Sequence, residues 1–152
     1  MAGLFGKNVV FVPVPGSTPS TVGVWAAERL AFALHGIGLG GAVRAAIQRR
    51  FPVRKSATAL NADRPTVQQH YESFSVAKPL TPPDRIVLID DVITKGRTIL
   101  AAATRLHEAF PDADIRAFAL IRTMGFLPNV THCLEPCQGV VRWAGGDARR
   151  EP

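Results

Sequence analysis

The sequence predicts an α/β domain with a doubly wound, mostly parallel central sheet, helices on both faces and a small irregular hood. Three runs of apolar residues, at 9–12, 86–89 and 117–121, support this. They lack the polar alternation of half-exposed strands and read as strands covered on both sides. Helical spacing follows the first two runs, and strand–helix–strand repetition puts a ligand crevice at the carboxyl ends of the strands.

After the first run, Pro15, Gly16, Ser17 and Thr18 form a loop. Hydroxyls between Ser17 and Thr21 are candidate caps for a helix with Val22, Ala26, Leu30 and Ala33 on one face. Residues 36–83 have patchy apolar content and predict a short strand near 43–48 and another near 74–77. Residues 49–73 between them read as a flexible loop of the length that lids have. After the second run, Ile99, Ala103, Leu106 and Phe110 share one helical face, and Pro111 stops that helix. Residues 125–152 form a tail or hood with one strand candidate at 139–143.

The chain has 152 residues, 47% of them hydrophobic, which suits a single domain with one core. The best candidate for a membrane span, residues 22–43, is broken by Glu28, Arg29 and His35. The start, with one cation and no long apolar segment, does not resemble a secretory signal, so a cytoplasmic protein is expected. Cys133 and Cys137 with His132 supply too few ligands for a closed zinc site, and no second ligand pair stands elsewhere. The net charge of +6 admits polyanionic partners; Arg49, Arg50, Arg54, Lys55 and Arg64 are concentrated in one stretch.

The chemistry-bearing segment begins in the second apolar run. There Asp90 and Asp91 precede Val92, Ile93, Thr94, Lys95, Gly96, Arg97 and Thr98. Two neighbouring carboxylates at a buried strand need donors, and vicinal ribose hydroxyls supply them. The following hydroxyls, glycine, cations and amides at a helix start form a monophosphate cradle. A magnesium-holding strand of an ATPase would need a Gly-x-x-x-x-Gly-Lys-Ser/Thr loop, which the chain does not contain. A phosphoryl-accepting aspartate would not require the cradle. A plain strand–turn–helix with an aspartate cap remains an alternative.

Residues 87–98 resemble the ribose-phosphate signature of type I phosphoribosyltransferases, with Lys95 where that family has a second Thr. The loop at Pro15, Gly16, Ser17 and Thr18 is similar to the pyrophosphate loop of competence-associated members. The resemblance implies a phosphoribosyltransferase-like fold that binds 5-phosphoribosyl 1-pyrophosphate (PRPP) and transfers its phosphoribosyl group to a nitrogenous base or related acceptor, releasing pyrophosphate. It implies contacts to PRPP from Asp90 to Thr98, catalytic roles for Asp90, Asp91, Lys55 and Arg64, and Mg2+ held mainly by PRPP rather than by the protein. It also implies a homodimer. The alternative is a PRPP-sensing regulatory protein that binds nucleic acid without turnover.

Overall fold

The structure, a computed structural model, describes residues 3–19, 24–54, 64–78, 81–123 and 135–151. Strand β1 (Gly6–Pro13) is followed by helix α1 (Ala26–Gly36), β2 (Gly40–Val43), β3 (Ile47–Arg49), α2 (Val67–Ser73) and β4 (Phe74–Val76). Then come β5 (Arg85–Ile93), α3 (Arg97–Ala109), β6 (Asp114–Arg122), β7 (Val140–Ala144) and β8 (Asp147–Glu151). The fold is α/β. Its central sheet has four parallel strands in the order β2-β1-β5-β6, and β3-β4 and β7-β8 are small antiparallel sheets.

Successive residues of a strand point to opposite faces, and the two central strands use both faces for burial. Val9 and Phe11 of β1 and Val87 and Ile89 of β5 cluster with Ala31 of α1. Val12, Ile86 and Leu88 point the other way and pack with Ile99, Ala102 and Leu106 of α3, with Val67 and Phe74 alongside. Phe5 meets Phe11 edge-on at 6.1 Å and Phe118 at 5.6 Å, closing the α1 side of the core.

The β1–β2 pairing shifts register between Gly6 and Val10, and β2 crosses this irregularity on two glycines. A Cβ on Gly41 would stand 1.9 Å from the carbonyl oxygen of Lys7, and one on Gly40 would stand 2.3 Å from Cε2 of Phe11. Close approach of the Lys7 backbone explains Gly41, and the Phe11 ring packed against the strand explains Gly40.

Several expectations need correction. Helix α1 starts at Ala26 with Trp25 as its N-cap and no side-chain cap, so the hydroxyls after Ser17 do not cap it. Trp25 instead donates from Nε1 to the carbonyl of Val14, at 2.7 Å. The buried residues of α1 are Ala27 and Ala31, not Ala26 and Ala33; Val22 lies outside the described residues. The strand expected near 43–48 is two strands in different sheets, because a turn at Arg44–Ala46 (Ala46 N–H to Arg44 O, 2.8 Å) breaks it. Within the segment read as loop, Thr66 and Gln69 form a capping box that starts α2. The apolar run in β6 is not covered on both faces: Leu120 is 61% and Ile121 53% exposed, and among the described strands β6 stands at the edge of the sheet. The described part of the hood is a regular hairpin, turned by Gly145 and Gly146 at φ 57° and 87°. Among the described residues no helix is long and apolar enough to cross a membrane.

Candidate functional site

A cavity of about 250 Å³ is lined by Arg64 and by the continuous stretch from Asp90 to Ile99. It opens where β5 hands over to α3. Strand β5 runs on to Ile93, so the aspartates lie within the strand, with Asp90 opposite Ala119 of β6, and not at its last residues as the sequence implied. The Oδ1 of Asp90 accepts the N–H of Asp91, and the Oδ1 of Asp91 accepts the N–H of Val92, each at 3.0 Å. Burial, reinforced by the neighbouring Asp91 carboxyl, pushes Asp90 up to about 7. Asp90 therefore titrates close to neutrality.

The turn after β5 ends at Gly96, the N-cap of α3, at φ 84° and ψ 13°. This left-handed conformation favours glycine, and a Cβ there would also lie 2.7 Å from Cγ1 of Val141. Among the described residues no side chain caps α3, and the residues of its first turn, Arg97 to Ile99, line the cavity. The partial positive charge of the helix start is thereby left for an anion.

The β7–β8 hairpin braces this turn from behind. Arg97 reaches Asp147 through Nε and Nη2, both at 2.5 Å, and its Nη1 donates to the carbonyls of Arg64 and Pro65 at 3.3 and 3.2 Å. Its guanidinium is thus a strut between hairpin, turn and the 64–65 segment, and the residue also lines the cavity. Lys95 Nζ also stands 3.4 Å from Asp147 but is largely exposed, so its cation is available at the mouth of the cavity. Arg150 donates to the carbonyls of Ile93 and Thr123, at 3.2 and 2.8 Å. Asp147 is held down to about 2, first by its hydrogen bonds from Arg97. A carboxylate with a lowered folded value stabilises the fold above its ordinary value of about 4 and loses that contribution as pH falls toward 2. Asp147→Asn should cost about 1–2 kcal/mol at pH 7, and the difference from wild type should vanish near pH 2, as read by urea melts at both pH values.

The loop Pro15, Gly16, Ser17 and Thr18 leaves β1 beside the cavity but does not line it. Pro13 pairs with Ile89, so the loop and the Asp90 segment emerge from the carboxyl ends of adjacent parallel strands. Pro15 is buried, while Gly16 and Thr18 are exposed and Ser17 is half-buried. The carbonyl of Gly16 accepts from Nε of Arg49 at 2.5 Å, and that of Ser17 accepts the N–H of Val53 at 2.7 Å. Lys55, His132 and Cys133 lie outside the described residues; Cys137 is a free, exposed thiol. Arg64 lines the cavity.

Compared with family models, curated proteins and solved structures, the chain gives no match. The geometry and the motif therefore carry the functional reading. Sequence reasoning missed Asp147 and Arg150, although Gly145-Gly146 between two short runs is a hairpin signal that could have located them. It counted Arg49 only as one cation among several and did not read His70, which is buried behind Thr98 with its Nε2 3.4 Å from the hydroxyl.

Proposed function

We propose that this chain is a PRPP-dependent phosphoribosyltransferase, with a doubly wound fold of the type I kind. The observation that carries the proposal is one cavity bounded by a carboxylate pair and an uncapped helix start, both within ten consecutive residues. Ribose 5-phosphates have the matching groups: vicinal hydroxyls that donate to carboxylates, and a phosphate that accepts from amides. The parallel strands put the Gly16 loop next to this cavity, where its amides would meet a diphosphate on the anomeric carbon.

In the proposed reaction a nitrogen lone pair of the acceptor attacks the anomeric carbon. The bond from that carbon to the diphosphate oxygen breaks, diphosphate leaves with the electron pair, and the acceptor nitrogen loses its proton. Positive charge grows on the ribose as this happens, and the carboxylates of Asp90 and Asp91 stabilise it. Asp90 accepts two hydroxyls best when ionised, so its neutral-range titration makes the site most effective above pH 7. Of the cations that line the cavity, Lys95 and Arg64 offset the charge on phosphate and diphosphate, while Arg97 is held by Asp147. Asp90 and Asp91 are oxygen donors of the kind Mg2+ takes, which fits a cation held mainly by the substrate's hydroxyls and diphosphate; when bound, it offsets charge on the departing group.

Calorimetric titration with PRPP and Mg2+, followed by a panel of nucleobases scored for released diphosphate, tests the proposal. Micromolar binding and base-dependent diphosphate release are expected. Absence of PRPP binding at millimolar concentration would overturn it.

A further inference from the structure

Beneath the Gly16 loop lies a buried cation that the proposed chemistry does not use. Arg49 is 6% exposed. Among the described residues its guanidinium meets neutral acceptors: the Gly16 carbonyl, the Ser73 hydroxyl and Nδ1 of His70, the last at 3.5 Å from Nη2. The ring of Phe74 lies 4.4 Å from its Cζ. Ser73 in turn donates to the carbonyl of His70 at 2.7 Å, so the cluster is fixed from both sides.

Every guanidinium nitrogen is a donor, and none can accept. Nδ1 of His70 faces such a donor and is therefore the unprotonated nitrogen, which puts the ring proton on Nε2. Nε2 faces Oγ1 of Thr98 at 3.4 Å. The hydroxyl oxygen thus acts as acceptor toward His70, and its own hydrogen turns away from the ring. Thr98 lines the cavity in the first turn of α3, beside the uncapped amides.

We infer that Arg49 and His70 are positioning residues for a phosphomonoester: Arg49 sets the tautomer of His70, and His70 sets Thr98 as a hydrogen-bond donor into the cavity. The same guanidinium holds the Gly16 carbonyl, so one buried cation ties the two loops together. This inference rests on the phosphate reading of the cavity. Burial, then the charges of Arg49 and Arg97, hold His70 down to about 4, so the ring is neutral wherever the enzyme would work. Among the described residues Arg49, Arg97 and Thr98 are the charged and polar side chains that act on the ring.

The test uses the full chain labelled with 15N and ribose 5-phosphate as the probe. The nitrogen shifts of His70 should show the Nε2–H tautomer at pH 7. Calorimetry should show about tenfold weaker binding of ribose 5-phosphate for Thr98→Ala and for His70→Phe, and no further loss for the double variant. A tautomer protonated on Nδ1, or losses that multiply, would overturn the inference while wild-type binding left the phosphate reading standing. Failure of the wild type to bind ribose 5-phosphate or PRPP would overturn both. If His70→Phe does not fold, as judged by circular dichroism, the wild-type tautomer decides the question.

Discussion

Asp90→Asn should abolish most transfer activity and, at the same time, make the protein more stable above neutral pH. The carboxylate faces the cavity, half-buried, and burial with the Asp91 carboxyl pushes it up to about 7. An acid whose folded value exceeds its unfolded value of about 4 binds its proton more tightly in the fold. Stability therefore declines as pH climbs from about 4 to about 7 and is flat above that. An amide of the same shape escapes this penalty, so the variant should gain about 2 kcal/mol at pH 8, after allowance for solvent screening, and little at pH 4. On the proposed reaction turnover should fall by roughly 10²–10³, because an amide would not stabilise the positive ribose. Urea melts at the two pH values and diphosphate release measure the two effects. An active variant with an unchanged pH–stability profile would show that Asp90 neither carries this proton nor meets the sugar.

Gly41→Ala should have the largest effect on stability. The new methyl would meet the carbonyl oxygen of Lys7 at 1.9 Å, a collision with backbone that no rotamer change relieves. β2 must then part from β1, and with it Val43, which packs into the α1 side of the core. A loss above about 4 kcal/mol is expected, enough to unfold a domain of ordinary stability. Thermal melting by circular dichroism checks this, and a wild-type transition would rule out the register of β2 against β1.

Much of the central sheet was legible because buried strands are written as contiguous apolar runs. Residues 86–89 and 9–12 meet that description and form the middle of the sheet. The run in β6 misled for a physical reason: Leu120 and Ile121 are apolar, yet β6 has a neighbour on one side only among the described strands. Periodicity reports hydrophobicity, not what covers it. The lining of the cavity was legible because the residues from Asp90 to Ile99 are adjacent in sequence and need no distant partner to come together. By contrast, Arg49 and His70 meet Gly16 and Thr98 across 33 and 28 positions. The pairing of Arg97 with Asp147 was not legible because the two stand 50 positions apart in the sequence.

The tie between Arg97 and Asp147 also has a consequence in time. At about 5–20 residues per second, a ribosome takes roughly 3–10 s to add the 50 positions that separate them. During that interval the turn at Gly96 can lean on the carbonyls of Arg64 and Pro65 but lacks the β7–β8 hairpin that braces it. A translation pause inside that window would leave the turn after β5 without its hairpin brace, so the order of synthesis sets when the cavity takes its final shape.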